Sequence, residues 1–184
     1  MKKVFLSALI VLALVIPVQA QSAKSDSPRP FEAGWNPVSY LRQEGKNLRG
    51  GTLSLAMRRS DHVSYVLDVS IHQTRTANPF TTTAYRFGLR YYATARGKFT
   101  PFGEVLGGGA NLGTVTTTVG TTTTTTSGHN GVSLAAGGGV DMAVRPWFSW
   151  RVLQVDYSLI HAGGSTLNGV RAHSGAVFHF GHSK

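Results

Sequence analysis

The chain contains no cysteine. That removes disulfide frameworks, thiolate metal sites and any lipid-modified cysteine behind a leader. Acids are scarce too: 8 Asp and Glu stand against 18 Lys and Arg, for a formal net charge of +10. Such a balance raises nucleic acid as a partner. The cations are scattered, however, and no basic cluster marks a footprint, so no nucleic-acid role is expected. Beyond the N-terminus there is no second long apolar run, which excludes a helical membrane protein on hydropathy. No segment keeps a helical period. The seven histidines include no HExxH and no close i,i+4 pair, and no nucleophile motif or phosphate-binding glycine spacing occurs. On these grounds the chain is not expected to be an enzyme. No catalytic residue, cofactor-binding residue, metal ligand or cofactor is nominated.

What is present begins with a leader. Lys2 and Lys3 precede an apolar stretch, Val4 to Ile16, which Pro17 breaks before Val18-Gln19-Ala20. This is the tripartite pattern of a secretory signal peptide, and the stretch is short for a spanning helix, which needs about 20 apolar residues. Residues 1–20 are therefore expected to be removed. Residues 21–30 are polar, with Pro28 and Pro30, and read as a flexible lead-in.

From Phe31 onward short segments of period-two alternation, rich in Tyr, Phe, Val and Thr, are separated by polar turns. This is a β composition. Eight strands are expected, at 31–41, 47–57, 62–72, 80–92, 98–112, 129–144, 148–160 and 167–180. Each reaches the 9–11 or so residues that cross a bilayer as a tilted strand. The links at 58–61, 93–97 and 145–147 are short; those at 42–46, 73–79, 113–128 and 161–166 are mostly longer. Outer-membrane barrels alternate tight periplasmic turns with longer external loops. The pattern implies an all-β fold: an eight-stranded antiparallel up-and-down transmembrane β-barrel over residues 31–180, with both termini periplasmic. Residues 181–184 form a C-terminal extension. The link 113–128, with ten threonines, has too little apolar content to fold by itself and is expected to be a mobile loop.

Alternation also sorts the two faces. Tyr85, Phe87, Leu89 and Tyr91 share one side of their strand; Ala84, Arg86, Gly88 and Arg90 share the other. The segment 62–72 and the last strand repeat the pattern. The expected inner positions carry Asp68, Glu104, Asp141 and Asp156 together with Arg86, Arg90, Arg151 and Arg171. Charges at mid-strand are costly in lipid but tolerable in a narrow lumen if paired. Asp141 and Arg151 lie five residues either side of Pro146, so a tight hairpin sets them opposite each other on one face. Keeping Arg151, Gln154 and Asp156 all inside requires a β-bulge near Val152-Leu153, and a different register for this strand is the equal alternative. Gly107 to Gly109 and Gly137 to Gly139 are read as strand residues that permit sharp coiling. Tyr40, Tyr91, Tyr92, Trp147, Phe148, Trp150, Phe178 and Phe180 are expected to mark the membrane interfaces.

The segments Thr100–Gly109 (TPFGEVLGGG), Leu134–Asp141 (LAAGGGVD), Arg151–Tyr157 (RVLQVDY) and Asn168–Phe180 (NGVRAHSGAVFHF) resemble small eight-stranded outer-membrane barrels in the style of the outer-membrane protein A and X domains. The resemblance implies residence in a Gram-negative-type outer membrane, contact with its lipid and lipopolysaccharide, and a monomer. It also implies that the aromatic ending of the last strand, Phe178 and Phe180, is read by the barrel-assembly machinery. Gly181 to Lys184 depart from the usual terminal phenylalanine, and Trp35-Asn36-Pro37 puts a proline where a ladder donor is expected. The function expected is non-enzymatic: a structural or surface-interaction barrel whose lumen is closed by paired charges. Two alternatives stand beside it. One is an enzyme acting on lipid or lipopolysaccharide, for which His72, Asp156, His161 and Ser165 are the available groups. The other is a soluble lipocalin-like barrel, which would need an apolar cavity.

Overall fold

A computed structural model describes residues 29–74, 80–113, 115–119, 122–126 and 128–181. The expected leader, most of the expected lead-in and residues 182–184 lie outside the described residues. Ten strands follow in chain order: β1 (Phe31–Gln43), β2 (Lys46–Arg58), β3 (Val63–Gln73), β4 (Thr81–Tyr92), β5 (Phe99–Leu112), β6 (Val115–Val119), β7 (Thr122–Thr126), β8 (His129–Arg145), β9 (Phe148–Ala162) and β10 (Ser165–Phe180). Eight of them close into one antiparallel barrel, ordered β1-β10-β9-β8-β5-β4-β3-β2. Closure pairs Phe31 with Phe180 and leaves no open edge in the barrel. β6 and β7 form a separate two-stranded hairpin.

This hairpin corrects the reading of 113–128 as a structureless loop. Val115 pairs with Thr126 and Val119 with Thr122. Threonine and valine are β-branched and favour extended backbone, so polarity alone misjudged the segment.

Loop lengths need a second correction. β1 and β2 are joined by Glu44-Gly45 alone, and β9 and β10 by Gly163-Gly164 alone. All four residues have positive φ, the conformation of the tight turns that suit strand twist. Two of the four links expected to be long are thus as short as the Pro146-Trp147 turn. The length parity rests on 74–80 and 113–128, not on every link.

Two irregularities fit the barrel. In β1 the pairing shifts between Trp35 and Val38, so Pro37 sits in a bulge where its missing N–H breaks no regular ladder bond. In β9 the pairing jumps from Val140↔Leu153 to Asp141↔Arg151, skipping Val152. Val152 and Leu153 both face out, 43% and 50% exposed. That is the phase change expected there. The glycine triplets lie within β5 and β8. A Cβ on Gly137 would stand 2.2 Å from the Val155 oxygen and 2.5 Å from the Asp156 carboxylate, so only glycine lets β9 approach this closely.

The barrel is inside-out relative to a soluble one. Leu53, Leu55, Tyr85, Phe87, Val105 and Leu134 are each more than half exposed on its outer wall. Asp68, Arg86, Arg90, Glu104, Arg151, Asp156 and Arg171 are at most 5% exposed inside. In water this arrangement would leave the apolar wall unburied and desolvate the charges at once; in a bilayer both faces are matched to their surroundings. A soluble lipocalin-like barrel is therefore set aside.

Candidate functional site: the lumen

The inward phase of each strand delivers its polar residues to one narrow interior. All eight nominated charges arrive there. Arg151 meets Asp141 as a two-pronged fork, Nε to Oδ1 at 2.8 Å and Nη2 to Oδ2 at 3.0 Å. The tight Pro146-Trp147 turn and the bulge at Val152 set that register. Arg90 lies opposite Glu104 in the β4–β5 ladder and donates to its Oε2 from Nε at 2.8 Å. Arg171 donates to Asp156 on the neighbouring strand from Nε and Nη2, at 2.9 and 2.7 Å. Its Nη1 crosses the lumen to Asp68 at 2.7 Å. Arg86 faces Asp68 in the β3–β4 ladder, yet that contact is long, 3.4 Å. Its shorter bonds go to Ser133 and Ser158, at 2.7 and 3.0 Å.

Four residues not nominated from sequence join these pairs into one network. Gln154 accepts from Arg151 at 3.0 Å and donates to Glu104 at 2.6 Å and to Asp156 at 3.0 Å. Tyr92 accepts from Arg90 at 3.2 Å and donates to Glu32 at 2.5 Å. Arg58 donates to the other oxygen of Glu32 at 2.7 Å. The chain of contacts therefore runs Arg58, Glu32, Tyr92, Arg90, Glu104, Gln154, Asp156, Arg171, Asp68, Arg86, with Asp141 and Arg151 entering at Gln154. Five carboxylates meet five guanidinium groups, so the interior is balanced and the excess positive charge lies elsewhere. Phe102 packs within the network. The guanidinium carbons of Arg90 and Arg151 lie 4.7 and 4.5 Å from its ring centroid, at cation–π range.

Tyr92 also corrects the interface assignment. It is 3% exposed and inside the barrel, whereas Tyr91 beside it is 57% exposed outside. Of the others, Trp147, Phe148 and Phe178 form one outer cluster near the termini, with centroids 5.5 to 6.3 Å apart. Phe180 stacks on Phe31 at 5.9 Å.

Toward the end away from the termini the filling changes character. His72 bonds to Ser39 at 2.7 Å, and His173 to Thr52 at 2.8 Å. Beyond them Ala84, Ala110, Leu112, Ile160 and Ala162 form a buried apolar cluster, with Phe80 and Leu167 packed against it. Leu41 and Leu48, paired across β1 and β2, are buried at the same end.

The groups considered for catalysis do not converge. His72 and Asp156 are buried in the lumen with partners of their own. His161 is exposed and bonds to Thr166 at 2.9 Å, and Ser165 is exposed beside the β9–β10 turn. Among the described residues no group of three His, Asp or Glu is placed to hold a metal ion.

No protein-family model matches the chain, and no curated protein matches it. Solved structures do. The crystal structure of Neisserial surface protein A (NspA) superposes with a TM-score of 0.64 at 12% identity, covering 82% of this chain and 97% of that one. Ail, the attachment invasion locus protein of Yersinia pestis, in complex with the heparin analogue sucrose octasulfate, gives 0.52 at 14% identity, over 82% and 96%. The N-terminal β-barrel domain of Pseudomonas aeruginosa OprF gives 0.50 at 15% identity, over 83% and 98%. At these identities the likeness is one of fold, and the fold, with its apolar outer wall, is that of the small eight-stranded bacterial outer-membrane β-barrels.

Proposed function

We propose that this chain is a non-enzymatic outer-membrane barrel with a structural or surface-interaction role, and that its lumen is closed to solutes. The observation that carries this is the continuous buried network from Arg58 to Arg86. Eight strands leave an interior just wide enough for side chains, and here those side chains are tied to one another across it. Moving a solute through would separate pairs that are costly to leave unpaired. Single-channel recording of the purified wild-type monomer in a planar bilayer tests the reading. The expected outcome is no steady conductance; a large, stable open level would replace it with a porin.

The surface role is supported by charge sorting. With the lumen balanced, the exposed charges at the end away from the termini are Arg42, Lys46 and Arg49 against Glu44 among the described residues. Such a rim favours anionic partners, lipopolysaccharide phosphates first among them. A sulfated ligand like the heparin analogue bound to Ail is the second. Export is proposed to remove residues 1–20, and Phe178 and Phe180, exposed at the end of β10, to serve the assembly machinery. Mass spectrometry of the exported monomer should find Gln21 at its start.

A further inference from the structure

A groove of about 360 Å³ runs along the lipid-facing wall near the termini, lined among others by Phe31, Leu55, Met57, Tyr65, Phe87 and Phe180. Two stacked aromatic pairs form its sides. Phe31 and Phe180 have centroids 5.9 Å apart, and Tyr65 and Phe87 6.1 Å apart. Leu55 and Met57 of β2 lie between them, Met57 pairing with Phe31 on one side and Tyr65 on the other. Arg59 follows the end of β2 directly, where the chain turns. Arg58 reaches inward to Glu32. Arg59 is exposed, its N–H bonds to the Val63 carbonyl at 2.8 Å, and its guanidinium has no ion-pair partner among the described residues.

We propose that this groove is a binding site for one anionic phospholipid of the leaflet on the terminal side, with an acyl chain between the aromatic pairs and the phosphate on Arg59. Three features choose this occupant. The groove opens on the wall that faces hydrocarbon. The backbone groups beneath it are already spent in the β1-β2-β3-β4 ladders, so a peptide strand would find no hydrogen bonds there. Charge at this end is complementary to an anion: Arg59, Arg96, Lys98 and Arg145 are exposed in or beside the turns, against Asp61 as the one exposed acid at this end among the described residues.

The test is native mass spectrometry of the delipidated full-length monomer in mild detergent, with phosphatidylglycerol and phosphatidylcholine of identical chains offered separately. One bound phosphatidylglycerol is expected, held about fivefold more tightly than phosphatidylcholine, the preference one cation supplies at a lipid surface. Arg59→Gln should bring the two lipids to parity, and Arg145→Gln should leave the preference as in wild type. Met57→Trp, which fills the groove floor, should weaken both lipids alike, and Leu55→Trp serves the same purpose should that variant fail to fold. Absence of any retained lipid overturns the proposal. So does equal loss of preference in the Arg59 and Arg145 variants, which would mean a diffuse basic rim. Unchanged retention with the floor filled, or a protein dimer in place of the lipid adduct, overturns it too.

Discussion

The two ends of the lumen solve the same packing problem by different physics. From the termini to mid-barrel the interior is filled chiefly by ion pairs fixed in direction, such as the Asp141–Arg151 fork and the Asp156–Arg171–Asp68 bridge, with a small apolar cluster of Ala56, Val66, Leu106 and Ala135 beside them. At the far end it is filled by Leu112, Ile160 and their alanine neighbours, which need only the right volume. Directional pairs specify which strand stands opposite which and penalise any slip; apolar packing excludes water with little demand on register. A barrel so divided should respond unequally to damage at its two ends.

The largest effect is expected at Arg171, which serves two carboxylates. Arg171→Ala leaves Asp68 and Asp156 facing each other without it, and loss of one partner of a buried pair typically costs about 3–5 kcal/mol. Thermal unfolding in detergent should show the largest drop in Tm of any single lumen variant. A smaller drop than at Ile160 would reverse the comparison.

Asp141→Ala comes next, because the orphaned Arg151 keeps its bond to Gln154. Adding Arg151→Ala should restore part of the loss. A double-mutant cycle without coupling would remove the pair from the account.

At the apolar end Ile160→Ala should cost about 2 kcal/mol, less than at Arg171, since truncation there leaves a cavity but no unpaired buried charge. It also sharpens the question of what closes the pore. The double variant Leu112→Ala, Ile160→Ala should stay non-conducting in a planar bilayer, while Asp156→Ala with Arg171→Ala should admit ions. The reverse result would make the apolar cluster the seal.

The smallest energetic effect concerns orientation. A short epitope tag within 122–126 should be accessible to antibody on intact cells with unchanged Tm, whereas one within 59–62 should be hidden until the membrane is opened. Opposite labelling would turn the barrel over.

How far these features were legible depends on the range of the interaction. The inward phase of Asp68, Arg86, Arg90 and Arg171 follows from period two, and Asp141–Arg151 follows from one tight turn, because both are local. The contact of Arg171 with Asp68 is not local. It spans the lumen between strands that do not pair, and no sequence spacing encodes that distance. Glu32 was missed because Gly34, Asn36 and Pro37 blur the alternation of β1. Tyr92 was missed because it follows Tyr91, and two adjacent aromatics read as one interface cluster although a strand must send them to opposite faces. Gln154 is expected inside from its phase, but an uncharged side chain gives no sign that it joins three ion pairs. The Glu44-Gly45 turn is hard to see because glutamate rarely takes positive φ, while Gly163-Gly164 does carry a two-residue hairpin signal.

The tight Glu44-Gly45 and Gly163-Gly164 turns shape what a visitor from that end meets. They join β1 to β2 and β9 to β10, which are contiguous around the barrel, while the seven-residue and sixteen-residue connections join β3 to β4 and β5 to β8 on the opposite arc. The crown is therefore lopsided, with a low threshold on one arc and nearly all of its variable chain length on the other. An immunoglobulin or a bacteriophage fibre approaching the molecule would find its handholds confined to one side. Sequence drift under such pressure would be channelled into residues 74–80 and 113–128, leaving the low arc to the lipids around it.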